Sequence, residues 1–147
     1  MFRRILIPTD GSKVAGKAVR AGIRFAGETG AAVVGYCAIE PVIVYSVGES
    51  VRSGNRRVAE LERQTKAAAE GYLAAMRKQA AAAGVRFESL CDRAATPYDG
   101  IVAAARKKKC DTIFMASRGR SGLEKLLMGS VTSKVLVRSK IPVLVYR

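Results

Sequence analysis

Histidine and tryptophan are both absent from the 147 residues. Without an imidazole the chain has no general base of the usual kind near neutrality, no nitrogen ligand of the commonest metal-binding type and no histidine-dependent triad. Cysteine is scarce: Cys37, Cys91 and Cys110 are odd in number, widely spaced and set in apolar stretches, with no CxxC pair. This excludes a zinc or thioredoxin-like motif and a disulfide framework, and fits reduced, buried thiols in a cytoplasm. Long apolar runs are missing as well. A stretch such as Ile141 to Tyr146 falls far short of the roughly 20 residues a membrane helix needs. The opening Met1-Phe2-Arg3-Arg4-Ile5-Leu6-Ile7-Pro8 has neither a long apolar core nor a small-residue cleavage site, so export is not expected and the expected location is cytoplasmic. Carboxylates, lysines, hydroxyls and backbone amides remain to carry any chemistry.

What is present is an ordinary globular composition, 49% hydrophobic and 26% charged, in a chain whose length suits one domain spanning residues 1–147. The net charge of +14 is high, and residues 96–147 hold eleven Lys/Arg against three acids. Attraction to phosphate or nucleic acid is one reading. The other is a solvated basic surface, with Arg106-Lys107-Lys108-Lys109 well placed at a helix C-terminus. No aromatic residues interleave with the basic ones as stacking platforms, which favours the second reading. Any contact with DNA or RNA is expected to be non-specific and lost at moderate salt.

Along the chain, strand and helix patterns alternate. Arg3 to Thr9 is an apolar run ended by Pro8-Thr9-Asp10-Gly11, a buried strand and turn. Ser12 caps a helix over 13–29 that Gly30 stops. Ala31 to Ala38 is a second strand, and 39–55, with Pro41, Gly48, Ser50, Ser53 and Gly54, a long loop. Arg56 to Ala83 is a helix with Val58, Leu61, Thr65, Ala68, Tyr72, Met76 and Ala80 on one stripe. Val85 to Cys91 is a third strand. Thr96-Pro97 opens a helix that runs to about Lys109. Thr112 to Ser117 is the fourth strand, Ser130 to Ser139 a short helix and Ile141 to Tyr146 the fifth strand. Near-continuous apolar strands alternating with helices predict a single doubly wound α/β domain. Its five-stranded parallel sheet would have the strand order 3-2-1-4-5 and helices on both faces.

Ligands of such sheets bind beyond the strand carboxyl ends, where the strand order reverses. Two segments leave strands there. Pro8-Thr9-Asp10-Gly11-Ser12 offers the Asp10 carboxylate, which suits ribose hydroxyls or a magnesium ion near phosphates, and equally suits a turn. Ala116-Ser117-Arg118-Gly119-Arg120-Ser121-Gly122 offers glycines that let backbone approach an anion, with Gly119 as the sharper turn, and two arginines. Gly129-Ser130 then presents a helix N-terminus. Glycine-rich turns before helices are also common as plain structure. Neither GxxxxGK[ST] nor GxGxxG after the first strand is present.

These segments, together with Thr96-Pro97, Asp111-Thr112-Ile113, Leu127-Met128-Gly129-Ser130-Val131 and Pro142-Val143-Leu144-Val145, resemble the universal stress protein family over nearly the whole chain. ATP-binding members of that family carry G-x2-G-x9-G-[ST]. Here Gly119, Gly129 and Ser130 match, and Ala116 stands at the first glycine. The resemblance implies a regulatory module of the stress response that binds ATP, ADP or AMP. Pro8, Thr9 and Asp10 would then meet the ribose and phosphate side, with Asp10 in indirect contact with Mg2+. Cys37 and Met115 would line the adenine, and Gly119, Gly129, Ser130 and Val131 would hold the phosphates, with Ala116 and Arg118 beside them. It also implies a homodimer paired through the C-terminal strand and no catalytic residues. A member that binds no nucleotide and acts through protein contacts is the alternative that Ala116 keeps open. A slow ATP hydrolase using Asp10 and magnesium is another.

Overall fold

A computed structural model describes residues 2–41, 51–119 and 128–147. In chain order its elements are β1 (Arg4–Pro8), α1 (Lys13–Thr29), β2 (Ala32–Ile39), α2 (Val51–Ala82), β3 (Phe87–Arg93), α3 (Pro97–Lys107), β4 (Thr112–Ala116), α4 (Ser130–Arg138) and β5 (Val143–Tyr146). The strands form one parallel sheet in the expected order β3-β2-β1-β4-β5.

Strand periodicity divides the core between two faces. Ile5, Ile7, Val33 and Cys37 point with Phe114 toward α1 and α2, where Ala18, Ile23, Leu73 and Met76 meet them. Leu6, Val34, Tyr36, Ile113 and Met115 point the other way, toward Ile101, Ala104 and Val135 of α3 and α4. The central strands β1 and β4 are buried on both faces, which explains why they read as continuous apolar runs.

Local signals set the helix ends. The Ser12 hydroxyl accepts the Ala15 N–H at 3.1 Å, and Gly30 closes α1 in the left-handed region at φ 70°. Thr96 caps α3 ahead of Pro97, and its Oγ1 accepts the Asp99 N–H at 3.3 Å. The strand ends observed are within two residues of those expected.

Two expectations for the middle of the chain need correction. The segment read as a loop over 39–55 is shorter, because β2 runs to Ile39 and α2 already starts at Val51; the rest of it, 42–50, lies outside the described residues. Ser53 and Gly54 read as breakers, but one glycine costs a helix only about 1 kcal/mol against alanine, and α2 has 32 residues to outweigh it. The stripe expected on α2 is also displaced. Met76 and Ala80 of that stripe are buried as expected, but Ala69 and Leu73 join them in the core while Leu61, Thr65 and Ala68 are exposed. The second half of α2 supplies its core contacts with the sheet, while Glu62 of the first half reaches Arg93 of β3 through an ion pair at 2.7 Å.

Candidate functional site

β1 and β4 are neighbours whose continuations part, β1 toward β2 and β4 toward β5. Between β1 and β2 the register extends to Pro8–Tyr36. Between β1 and β4 it comprises Ile5–Thr112 and Leu6–Ile113. Above that last pair opens a cavity of about 760 Å³, at the place where doubly wound sheets bind ligands.

One wall is the β1–α1 turn. The Thr9 N–H donates to the Tyr36 carbonyl at 2.8 Å, fixing where the chain leaves the sheet. Asp10 Oδ1 accepts the Ser12 N–H at 2.9 Å, so the turn role expected of Asp10 is real. Its other oxygen faces the opposite wall: a Cβ on Gly119 would lie 3.0 Å from Asp10 Oδ2. Gly11 sits at φ +77°, and a Cβ there would fall within the ring of Tyr72 from α2. Backbone conformation and the aromatic ring both demand glycine.

The facing wall is the segment from β4 to α4. Met115 and Ala116 end β4 as buried residues, and the Ser117 N–H donates to the Tyr146 carbonyl at 2.8 Å. The Gly129 N–H returns to the Ser117 carbonyl at 2.7 Å, and Thr132 Oγ1 donates to the buried Ala116 carbonyl at 2.9 Å. These two bonds seat the first turn of α4 against the end of β4. Gly129 is the N-cap of α4 at φ −71°, a conformation open to any residue. Its lack of a side chain matters for another reason, since a Cβ would lie 3.2 Å from Arg118 Cα and 3.4 Å from the Ser117 oxygen. Gly129 brings no side chain to cap α4, and none of the described residues supplies one. Its first-turn N–H groups have no acceptor within the helix, and Ser130, Val131 and Thr132 all border the cavity.

Gly119 departs from its expected role as the sharper turn. It is not among the glycines at positive φ, which are Gly11, Gly30 and Gly84. The Asp10 carboxylate, rather than backbone strain, is what a side chain at 119 would meet.

All eleven residues singled out from the sequence, namely Pro8, Thr9, Asp10, Cys37, Met115, Ala116, Arg118, Gly119, Gly129, Ser130 and Val131, border this one cavity. Arg120 and Gly122 lie outside the described residues. The sequence reading missed the third wall, made of Tyr36, Glu40 and Pro41 from β2 onward, Gln64, Thr65 and Tyr72 of α2, and Pro97 and Ile101 of α3. Thr65 and Tyr72 carried a signal only as part of the stripe of their helix, and Pro97 only as the residue that opens α3. The Tyr36 hydroxyl donates to Asp92 Oδ1 at 2.9 Å. Burial, then that bond to the carboxylate, raises its pKa well above the ordinary phenol value, so it stays a neutral donor. Among the described residues, no group of three or more cysteine and carboxylate side chains is placed to hold a metal ion, and no helix is long and apolar enough to cross a membrane.

A model of the universal stress protein family matches residues 1–147. Universal stress protein MJ0531 of Methanocaldococcus jannaschii is 32% identical over 147 residues, covering all of this chain and 83% of the relative. The solved structure of MJ0577 is 27% identical, covers 99% of this chain and 95% of its own, and superposes with a TM-score of 0.81. Two others share the fold: a universal stress protein in complex with cAMP (24% identity, 99% of this chain and 97% of that one, TM-score 0.67) and one from Archaeoglobus fulgidus in complex with dAMP (19%, 100% of both chains, TM-score 0.62).

Proposed function

The chain belongs to the universal stress protein family, and we propose that it is a regulatory module that binds an adenine nucleotide in the crevice between β1 and β4. The observation that carries this reading is the N-terminus of α4, which has no side-chain cap among the described residues, is drawn against the β4 end by Gly129 and borders the cavity. Free N–H donors and the positive end of the helix dipole suit phosphate oxygens. The complexes with cAMP and dAMP solved for proteins of this fold point to the same ligand class.

In this reading, Gly119, Gly129, Ser130 and Val131 hold the phosphates, with Arg118 adding positive charge nearby. Pro8, Thr9 and Asp10 flank the ribose and phosphate side, while Cys37, Met115 and Ala116 wall the base. ATP, ADP and AMP are all candidates. Asp10 is the carboxylate of the site suited to a magnesium ion carried in by the phosphates; magnesium would neutralise their charge. In this reading the β1 turn serves to orient the Asp10 carboxylate beside the bound nucleotide. Cytoplasmic location accords with three reduced thiols in apolar surroundings. Titration calorimetry is expected to show heat with at least one of ATP, ADP and AMP; no heat with any of them would overturn the reading.

The module is proposed to work as a homodimer paired through β5. That strand is the sheet edge beyond β4, and it is apolar where exposed edges usually carry blunting charges. Beside it in the chain, Val137 of α4 is 86% exposed and Leu136 39%. Light scattering is expected to give twice the chain mass at micromolar concentration, and Val143→Lys to shift it toward one.

A further inference from the structure

Cys37 and Cys91 are far apart in sequence and adjacent in the sheet. They are direct register partners on the parallel strands β2 and β3. Neighbouring strands lie about 4.8 Å apart, inside the roughly 4.4–6.8 Å that a disulfide allows between Cα atoms. Both side chains point to the face covered by α1 and α2, where Cys37 is a buried member of the core and Cys91 packs at its border. The pairing on either side is continuous from Val33–Phe87 to Ile39–Arg93, and the Tyr36 hydroxyl clasps Asp92 one residue along on the other face. The sheet itself therefore holds the two cysteines side by side on one face, with the Cys37 thiol resting 3.9 Å from the Ala38 carbonyl. Cys37 also borders the large cavity, which gives a small reagent a route to a residue only 5% exposed.

We propose that Cys37 and Cys91 form an oxidisable dithiol that closes an intrachain disulfide in the folded protein. The oxidant is a small organic disulfide entering through the cavity. The Cys37 thiolate attacks one sulfur of that molecule, its S–S bond breaks, and one thiolate leaves, giving a mixed disulfide at Cys37. The Cys91 thiolate then attacks the Cys37 sulfur and displaces the second thiolate. Two cysteines are oxidised, the reagent is reduced by the same two electrons, and the two thiol protons end on its two released thiols. Parallel neighbours keep their Cβ atoms near the strand spacing, wider than the roughly 3.8 Å mean of a relaxed disulfide. β3, as the sheet edge, can give toward β2, and the resulting bond is strained and easily reduced. Cys110 sits on the opposite face, packed with Leu6 and Ile113, and takes no part.

The test incubates the native full chain with bis(2-hydroxyethyl) disulfide, followed by intact mass and peptide mapping. The expected product has lost two hydrogens, with Cys37 and Cys91 in one cross-linked peptide pair, and dithiothreitol reverses it. Cys110→Ser should leave the reaction unchanged. Cys91→Ser should stop at the mixed disulfide on Cys37. Three alkylatable thiols remaining in the folded chain, at a reagent dose that oxidises the urea-unfolded chain completely, would overturn the proposal. So would a cross-link that includes Cys110 or joins two chains.

Discussion

The two walls of the cavity reach similar ends by different physics. The β1 turn is held by conformation: Gly11 occupies the left-handed region, and the Tyr72 ring fills the space where a side chain would stand. The β4–α4 wall has ordinary dihedrals at both Gly119 and Gly129. There the glycines are needed because backbone or a carboxylate comes close. A wall held by conformation should fail through folding, and one held by proximity should fail through the ligand.

The largest effect that would sharpen this contrast is at Gly11. Gly11→Ala is expected to destabilise the fold by about 2–4 kcal/mol, adding a positive-φ penalty to overpacking against Tyr72. Urea denaturation reads it, and adding Tyr72→Ala should restore part of the loss. Gly129→Asp comes next. It sets a carboxylate where phosphates are proposed to bind and should weaken nucleotide about 100-fold in calorimetry, equivalent to roughly 2.7 kcal/mol, while unfolding shifts far less than with Gly11→Ala. Equal damage to folding from both variants would erase the distinction between the walls.

Thr132→Val removes the donor to the buried Ala116 carbonyl and should cost about 1–2 kcal/mol in denaturation, the penalty of a buried group left unpaired. Gly119→Ala is milder. Its Cβ meets the movable Asp10 carboxylate and no strained backbone, so stability should change by less than about 1 kcal/mol while nucleotide affinity falls about tenfold. Smallest of all is Ala116→Gly, expected to alter affinity by about 1 kcal/mol or less, the scale of one methylene. Ala116 is in extended strand paired with Tyr146, where alanine is at home. A silent native chain that gains micromolar ATP binding from Ala116→Gly alone would instead make Ala116 a block.

The sequence made the sheet legible because β1 and β4 are buried on both faces and because Ser12, Gly30 and Thr96-Pro97 are strong local signals. The walls at the strand ends were legible for the same reason, since turn chemistry is local. The α2 wall was not. Helical periodicity identifies a stripe but not what it faces, and α2 changes partners halfway, from open cavity at Thr65 to sheet at Leu73. Nor could spacing tell which glycines need positive φ. Gly11 and Gly119 both read as turn residues, and only Gly11 is left-handed.

Pro8 shows how the crevice comes to exist at all. Alternate residues of a parallel strand turn their backbone groups to opposite neighbours. The Arg4 carbonyl accepts from Asp111 on the β4 side, while the Thr9 N–H serves β2, so position 8 faces β4. Proline has no N–H to offer there. The next rung of the ladder beyond Leu6 cannot be made, and the zipper between the two central strands stops short of their ends. The sheet stays whole where β1 meets β2 and splits where it meets β4. One missing hydrogen atom thus keeps the seam open.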